Sequence, residues 1–426
     1  MCNNEQTAQV RYSPRLHFGP VNSDRVQGID TQRMLRERQD RMRIVMREHG
    51  IAALLLTGAE NVRYLTGFWW SEFQRGAGYA LFLADHPPIV FAPAGSLQQM
   101  PDLAPWITEW RPAISWMDGV ATPDACFSQA TRFANQIREE LEQYGLTHEA
   151  LATSEISELG IECLSRAGIN TVPGIRLLLE SAMIKTVDEV NCLKMAASLS
   201  VSGFEAVRTN LRAGMTQSQV ARIGRRAIED AGAEVAATAI MSGPQGFERS
   251  VSSLDRRIEF GDLAFALTCG TSFMGYSACL YRQFIVGRKP TGIETSMYSK
   301  LRDRLDAAIS AMKPGASTAD VAKLLAPASA WGYGSETECF SVELGHGVGL
   351  VNAGSRSIHY NPPIITREWS LEHPEEIKEG MVIAIEGIEG EHRVRGVRLE
   401  NMVVIGKDGA ELIDHYPRDA IMPVGL

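Results

Sequence analysis

Three short motifs in the second half of the chain carry residues that could do chemistry. His346 lies between glycines in ELGHGVGL, Glu386 comes late in the apolar stretch IKEGMVIAIEG, and Glu400 has a similar setting in GVRLENMVVIG. Glycines on both sides of a histidine let the backbone bend and let a ligand approach. An ionised carboxylate within a buried strand is costly unless it is paired or bound to a metal ion. The three residues therefore predict a catalytic or metal-binding pocket.

Each motif alone also has a purely structural interpretation. His346 could be a packed histidine beside a glycine turn, and either glutamate could form a salt bridge with Arg395 or Arg398. The three motifs together, in this order and at this spacing, favour the functional interpretation.

The overall composition restricts the class of partner. The 426 residues suggest two or three domains, and a hydrophobic content of 45% is enough for sizeable cores. A net charge of -9 argues against nucleic acid or an anionic membrane surface as the main partner. No apolar run approaches the roughly 20 residues of a membrane span, and the first residues lack the pattern of a secretory signal. Seven scattered cysteines without a CxxC pair predict unbridged thiols in a reducing cytoplasm.

The first part of the chain alternates helices and strands. Residues 1–30 are polar and predict an N-terminal arm. Apolar residues at helical spacing predict a helix from Thr31 that ends at Gly50, and IAALLLTG, GYALFLAD and PIVFAPAG predict buried strands. ATRFANQIREELEQYG predicts a second helix. Residues 31–178 are therefore expected to form an α/β domain.

The remaining residues, 179–426, are expected to form an α+β domain. Thr186 and Glu189 form a capping-box pattern at the start of a long predicted helix. YSKLRDRLDAAISAMKPG predicts another helix. The stretches DLAFALTCG, CLYRQFIVG, MVIAIEGI and VRLENMVVIG predict the strands of an antiparallel sheet.

The chain resembles the pita-bread fold family of creatinase, aminopeptidase P, prolidase and methionine aminopeptidase, which is peptidase family M24. The resemblance extends from about Thr31 to Pro417 and is strongest over GDLAFALTCGTSFMGYSACLYRQFIVG, GHGVGL, EGMVIAIE and GVRLENMVVI. It implies a creatinase-like N-terminal α/β domain, an α+β pita-bread catalytic domain and a homodimer with a shared active site.

The resemblance also implies an altered metal site. Metallopeptidases of this family hold two divalent ions with two Asp, one His and two Glu. His346, Glu386 and Glu400 match the last three, whereas Thr268 and Cys279 fall on the aspartate positions. Two ions about 3.5–4 Å apart need bridging carboxylates, so we expect no dinuclear centre. A single softer ion on Cys279, His346, Glu386 and Glu400 is the alternative, because a thiolate is a good zinc ligand.

The hairpin between the two former aspartate positions should place both in the pocket. A turn centred between Phe273 and Met274 would set Thr268 opposite Cys279, and opposed residues share a face. We therefore expect both side chains, with Tyr281 on the same side, to contact the substrate.

Two further features concern the substrate, of which the first is a departure from the family and the second a match to creatinase. Ser250 stands where the peptidases and creatinase carry a His ahead of the GDL strand. Phe73 and Arg75 resemble the Phe-x-Arg unit with which creatinase binds the substrate carboxylate in the neighbouring subunit's pocket, and an arginine can bind a carboxylate through two hydrogen bonds. The alternative is an ordinary surface loop. His359, in the loop after GHGVGL, is a further candidate for substrate binding.

Three functions fit these residues. The first, which we favour, is a metal-independent, creatinase-like hydrolase that cleaves a carbon–nitrogen bond in a small, carboxylate-bearing, amino-acid-like substrate. In it His346, Glu386 and Glu400 are catalytic, and repulsion between the glutamates raises one pKa so that this residue can act as a general acid. The second is a mononuclear metal-dependent hydrolase or lyase, similar to the peptidases or to the dimethylsulfoniopropionate lyase branch. The third is a non-catalytic binding protein on a peptidase fold.

Overall fold

The structure, a computed structural model, describes five stretches of the chain, which are residues 28–70, 77–247, 255–338, 343–351 and 361–426. The chain divides into two compact units whose main segments are Thr31–Ser181 and Ala182–Leu426. The predicted N-terminal arm lies almost wholly outside the described residues. Within the described stretches, no helix combines the length and the apolar character that crossing a membrane requires.

The first unit is an α/β domain built on a six-stranded sheet. Its strands are β1 Ala53–Leu56, β2 Tyr79–Leu83, β3 Ile89–Ala92, β4 Glu109–Pro112, β5 Leu151–Thr153 and β6 Thr171–Pro173. Its helices are α1 Thr31–Glu48, α2 Ala59–Thr66, α3 Met100–Leu103, α4 Pro123–Gln143 and α5 Glu158–Arg166, followed at the boundary by α6 Ile175–Met183. The strand order is β4-β3-β2-β1-β5-β6, in which β1 is antiparallel to β2 and parallel to β5. The predicted α/β class of this domain is confirmed.

Alternation along the strands directs one face of this sheet onto a helix. Leu55 of β1, Leu81 of β2 and Phe91 of β3 belong to one buried cluster with Phe133 and Ile137 of α4. The two α4 residues are four apart, which places them on the same side of the helix. Burying this apolar surface stabilises the unit by about 25 cal/mol for each Å² removed from water.

The second unit is an α+β domain with a long, mainly antiparallel sheet. Its strands are β7 Ala239–Ser242, β8 Leu263–Leu267, β9 Thr271–Phe273, β10 Tyr276–Ala278, β11 Tyr281–Val286, β12 Leu344–Gly347, β13 Asn361–Ile365, β14 Val382–Glu391, β15 Arg395–Gly406, β16 Gly409–Leu412 and β17 Met422–Val424. Its helices are α7 Val187–Asn210, α8 Gln217–Asp230, α9 Gly292–Ala311, α10 Thr318–Ala322 and α11 Arg367–Ser370. The main sheet runs β13-β12-β14-β15-β11-β8-β7, with β16 beside β15 and β17 beside β11. Helices around an antiparallel sheet confirm the predicted α+β class.

Along β14 and β15, the two longest strands, alternate side chains point to opposite faces of the sheet, and one of these faces packs on α9. Ile383 and Ile385 of β14 and Leu399 of β15 lie in one buried cluster with Leu301 and Leu305 of α9. Successive residues of a strand point to opposite faces, so the even-numbered neighbours of these core residues face away from α9. Glu386 and Glu400 are even-numbered, and this places both carboxylates on the other face.

Four helices of this unit, α7 to α10, begin at capping boxes, and two of these bear on the sequence predictions. The predicted box at α7 is confirmed, because the Thr186 backbone N–H donates to Glu189 Oε2 at 2.8 Å and the Glu189 N–H donates to Thr186 Oγ1 at 3.2 Å. Helix α9 begins at Gly292, six residues before the Tyr298 expected from apolar spacing. Thr291 and Glu294 form the same kind of box there, so the sequence carried the signal for the earlier start.

A buried ion pair fixes the strand that carries Glu400. Arg282 of β11 and Asp414 form an ion pair whose side chains are fully buried. Arg282 Nη1 also donates to the Glu400 carbonyl oxygen at 2.8 Å, and Asp414 accepts from the Met402 backbone N–H at 2.9 Å. Asn401 Nδ2 donates to Asp414 at 3.1 Å. These bonds hold β15 at Glu400 and at the two residues that follow it.

The first prediction concerns Glu294, whose carboxylate accepts hydrogen bonds from Arg288 at 2.7 and 2.8 Å. The bond to Arg288 is the main reason that its pKa falls from 4.5 to about 2. A lowered carboxyl pKa stabilises the folded state above the unfolded-state pKa, and this stability is lost as the pH falls through the folded-state value. Glu294→Gln should lower the free energy of unfolding at pH 7 by about 2 kcal/mol, and the difference should shrink between pH 4.5 and 2.

Denaturant unfolding at a series of pH values measures this difference. Asp303→Asn on the same helix is the control, because its pair with Arg302 is exposed and should contribute less than about 1 kcal/mol. A Glu294→Gln difference that stays constant from pH 7 to pH 2 would contradict the assignment.

The second prediction concerns the Arg282–Asp414 pair. Asp414→Leu should lower the free energy of unfolding by about 3–5 kcal/mol, because it leaves a fully buried guanidinium without its counter-charge. The double variant Arg282→Met with Asp414→Leu removes both charges and should recover much of that loss. Chemical denaturation of the three proteins measures the coupling. Equal losses in the single and double variants would show that the pair is not the cause.

Candidate active site

Glu386 and Glu400 lie side by side on the polar face of the main sheet. The register of β14 and β15 places them directly opposite each other, with exposed fractions of 3% and 0%. Opposed side chains on adjacent antiparallel strands have Cβ atoms about 4.5–5.5 Å apart. The two carboxylates predicted as catalytic therefore share one buried environment.

His346 joins them from the neighbouring strand. It lies on β12 opposite Ala384, two positions along β14 from Glu386, so it projects from the same face. Its Nε2 lies 3.7 Å from Glu400 Oε1, and its Nδ1 lies 3.0 Å from the Gly347 carbonyl oxygen. The structure thus brings the three predicted catalytic residues together.

The glycine after His346 is required by close packing of the backbone. A Cβ atom on Gly347 would lie 2.2 Å from the Pro362 carbonyl oxygen and 2.7 Å from that of Asn361. The register between β12 and β13 also shifts between His346 and Gly347. The GHG pattern therefore lets β13 approach and sets the direction of the imidazole.

The sequence left open that a glutamate of the site forms a salt bridge with Arg395 or with Arg398. The observed partner of Arg395 is Glu391, at 3.0 Å. Arg398 donates to the Gly246 carbonyl oxygen at 3.4 Å, and its guanidinium lies 4.9 Å from the centre of the Phe265 ring.

The predicted register of the β9–β10 hairpin is wrong by one residue. Phe273 pairs with Tyr276, so the two turn residues are Met274 and Gly275, with φ of 51° and 83°. A two-residue turn of this kind needs positive φ at both positions. The expected centre would have put Phe273 in that conformation, which a bulky residue rarely adopts. Gly275 was the signal for the observed turn.

A bulge at the base of the hairpin changes which residues are opposed. Gly270 has φ of 99° and donates its N–H to the Ala278 carbonyl oxygen at 2.9 Å, while Thr271 pairs with the same Ala278. Two residues facing one is the pattern of a β-bulge with a glycine in the left-handed region. The Thr268 N–H then bonds to the Leu280 carbonyl oxygen at 3.0 Å, which leaves position 269 opposite position 279.

Cys269 therefore faces the carboxylates, and the sequence argument missed it. Its Sγ donates to Glu400 Oε2 at 3.3 Å. The Sγ atoms of Cys269 and Cys279 and a Glu400 oxygen all lie within 4.8 Å of one another. Cys279 thus lies beside the carboxylates, and its contact with a substrate stays a prediction. The buried Thr268 hydroxyl, by contrast, has no hydrogen-bond partner in the described part of the chain.

Tyr281 lies on the same face in apolar surroundings. It is opposite Glu400 on β15 and opposite Leu267 on β8. Its ring packs with Met241, Leu267 and Phe265, the last at a centroid distance of 5.8 Å. The ring forms an apolar wall beside the carboxylates.

Burial dominates the electrostatics of this cluster. Desolvation raises the pKa of Glu400, the neighbouring Glu386 raises it further, and His346 acts in the opposite direction. Desolvation also raises the pKa of Cys269 to about 12 and that of Cys279 well above its usual range. The expected rise of one carboxyl pKa has the predicted direction, but its main cause is burial rather than repulsion.

The remaining predicted site residues lie outside the described part of the chain. They are Phe73, Arg75, Ser250 and His359. Their roles stay predictions from the sequence.

The donor set does not fit a pair of metal ions. The matching family site has four carboxylates, whereas the described cluster offers the carboxylates Glu386 and Glu400, the imidazole of His346 and two thiols. Two divalent ions about 3.5–4 Å apart repel each other unless bridging carboxylates screen their charges. The five side chains can instead bind a polar group, transfer protons or hold one ion.

Comparisons with known proteins agree with this architecture. The model for Metallopeptidase family M24 matches residues 191–407, and that for the Creatinase/Prolidase N-terminal domain matches residues 38–158. The "Probable dipeptidase PepE" of Mycobacterium tuberculosis is 26% identical over 384 residues, which cover 88% of this chain and 92% of the relative. The "Uncharacterized peptidase YqhT" of Bacillus subtilis is 24% identical over 90% of this chain and 99% of its own length.

A solved structure shows the same fold. The Xaa-Pro dipeptidase from Bacillus anthracis superposes with a TM-score of 0.72 at 20% identity and covers 91% of this chain and 99% of its own. The part of this chain that matches the family M24 model includes the strands that carry His346, Glu386 and Glu400. The chain therefore belongs to metallopeptidase family M24, and its first domain is of the creatinase/prolidase N-terminal type.

Proposed function

We propose that the protein is a hydrolase that cleaves a carbon–nitrogen bond in a small amino-acid-like or dipeptide-like substrate without the family's pair of metal ions. The observation that carries the proposal is the meeting of His346, Glu386 and Glu400 on one buried face of the sheet. Peptidase and dipeptidase names among the relatives support hydrolysis over the lyase alternative.

Hydrolysis of an amide or amidine needs a group that moves a proton twice. Glu386 is suited to this role, because its carboxylate can take a proton from water as the oxygen bonds to the substrate carbon. The same proton then passes to the nitrogen as the carbon–nitrogen bond breaks, so that an amine leaves and the substrate carbon keeps the oxygen of water. The second product is an acid from an amide and an amide or a urea from an amidine or guanidine. Glu400 and His346 lie beside it and can hold the polar group of the substrate. The apolar ring of Tyr281 limits access of water on one side.

The substrate is proposed to carry a carboxylate that Arg75 binds from a second subunit. This part rests on the Phe73-x-Arg75 pattern in the sequence and on the resemblance to creatinase. The fork of donors on an arginine matches the two oxygens of a carboxylate. A homodimer and a cytoplasmic location, which the scattered thiols favour, belong to the same proposal.

Glu386→Gln should lower kcat by about 10²–10⁴-fold on any substrate found, because the amide cannot accept the proton. A panel of Xaa-Pro and other dipeptides, N-acyl amino acids and creatine-like amidines provides the substrates. Glu389→Gln is the matched control, since Glu389 lies on the same strand but pairs with Lys300 and Arg304. Its kcat should stay within a few-fold of wild type.

Two outcomes would contradict the proposed hydrolysis. One is undiminished turnover in Glu386→Gln. The other is tight binding of panel compounds with no product from any of them, which would favour the non-catalytic binding protein.

Arg75→Ala should raise KM by about 30-fold or more for a carboxylate-bearing substrate, since a desolvated charge pair is worth 2 kcal/mol or more. Arg75→Lys should recover only part of the affinity. Mixing Arg75→Ala chains with Glu386→Gln chains should restore turnover to about one quarter of wild type, because half of the dimers are mixed and each holds one intact site. Turnover measured after verified subunit exchange tests this. No recovery would show that Arg75 does not serve the partner's site.

A further inference from the structure

The cluster of Cys269, Cys279 and Glu400 has the composition and spacing of a metal site that differs from the family's. Donor atoms of the three residues lie within 4.8 Å of one another, and all three side chains are buried or nearly so. Around a tetrahedral zinc ion, with bonds of about 2.3 Å to sulfur and 2.1 Å to oxygen, neighbouring donors are about 3.6–3.8 Å apart. The Cys269 Sγ to Glu400 Oε2 distance of 3.3 Å is close to this spacing.

A second observation points to a cation in the same place. Glu400 Oε1 is buried without a hydrogen-bond partner among the described residues, and His346 Nε2 lies 3.7 Å from it. The Gly347 carbonyl can only accept, so the 3.0 Å contact places a hydrogen on His346 Nδ1. His346 Nε2 is then the ring nitrogen on the side of Glu400 Oε1, and the 3.7 Å between the two atoms is longer than a hydrogen bond. A cation placed between the nitrogen and the carboxylate oxygen could bind both.

The contact to Gly347 also matches a known feature of histidine ligands. A histidine that binds a metal through one nitrogen commonly donates its other N–H to a backbone carbonyl, which fixes the tautomer and the ring orientation. Here the carbonyl is that of Gly347, next to the point where the register of β12 and β13 shifts. The imidazole is therefore oriented for a ligand on its Nε2 side.

We propose that the protein binds one soft divalent ion of the zinc class per chain through Cys269, Cys279, Glu400 and His346. Two sulfur donors, one imidazole and one carboxylate suit Zn²⁺, whereas Mg²⁺ and Mn²⁺ prefer oxygen ligands. The sequence alone suggested a single ion on Cys279, His346, Glu386 and Glu400. The observed donor group adds Cys269, so the proposed set has Cys269 in place of Glu386, and Glu386 is left beside the ion for proton transfer. This division of roles rests on the proposed hydrolysis, but binding of the ion does not.

Metal binding is measured on the full-length protein, purified with a non-thiol reductant, stripped with a chelator and dialysed against Zn²⁺ or Co²⁺. Elemental analysis should find one equivalent per chain, and Zn²⁺ should raise the melting temperature, as a ligand of the native state does. Co²⁺ should give a thiolate-to-metal charge-transfer band and the visible bands of a tetrahedral ion. Cys269→Ser and Cys279→Ser should each weaken Zn²⁺ binding by about 100-fold or more, since even the loss of a group that supports a ligand costs 10–100-fold.

Three comparison variants make the result specific. Cys163→Ser changes a buried cysteine of the first domain and should leave binding unchanged. Thr268→Ser should also leave it unchanged, because the observed register turns Thr268 away from the donor group. Glu386→Gln should keep one equivalent of Zn²⁺ while losing turnover. Circular dichroism establishes that each cysteine variant is folded before its binding is measured.

The possible outcomes separate this inference from the proposed reaction. Failure to retain Zn²⁺, two equivalents per chain, or unchanged binding in folded Cys269→Ser would overturn the metal site. Full turnover by stripped protein would overturn a catalytic use of the ion but leave the hydrolase intact. One equivalent bound through both thiols, with no turnover of any substrate, would support the site and count against the hydrolase.

Discussion

Two carboxylates placed directly opposite each other in a buried sheet determine much of this structure. Like charges about 4 Å apart cost roughly 4 kcal/mol at an effective dielectric near 20, so Glu386 and Glu400 require compensation from their surroundings. The imidazole of His346 and the thiol of Cys269 lie against Glu400 and supply part of it. The pocket is thus arranged around negative charge, which a proton, a cation or a polar substrate group can balance.

The rest of the second domain holds these groups in place against that repulsion. Core residues on the opposite face of β14 and β15 fix both strands onto α9. The Arg282–Asp414 pair binds the backbone of β15 at the Glu400 carbonyl and at the Met402 N–H. The glycine after His346 permits the close approach of β13. These contacts hold the strands without using the side chains of His346, Glu386 and Glu400, which remain available for chemistry.

The resemblance aligns Thr268 and Cys279 with the family's two aspartates, while the fold is that of the family. On this alignment the site has two carboxylates fewer, and these are the bridging ligands that a pair of ions needs. The bulge at Gly270 then brings a thiol from position 269 to the space, in addition to the thiol at position 279. The donors on the same fold then include two thiols and fewer carboxylates than in the family's site. This set is compatible with one ion and with Glu386 beside it as the group that transfers protons.

The sequence alone determined the domain classes, most of the elements and three of the central residues. Runs of apolar residues predicted β14 and β15, and a glutamate within each run marked Glu386 and Glu400 as candidates, while the pairing of the two strands placed both on one face. The capping pattern at Thr186 specified the start of α7, and the same pattern at Thr291 would have specified α9. Local rules of this kind depend only on residues a few positions apart, so they can be read from one chain.

The tertiary structure decided which residue of the hairpin faces the carboxylates. The register depends on a turn at Met274–Gly275 and on a bulge at Gly270, and a shift of one residue turns every following side chain to the other face. Sequence reasoning therefore chose Thr268, while the folded chain presents Cys269. The contact between His346 and Glu400 is likewise a product of three neighbouring strands whose order no local pattern reveals. Strand order and register arise from contacts between residues far apart in the chain, and this is why only the folded structure could settle them.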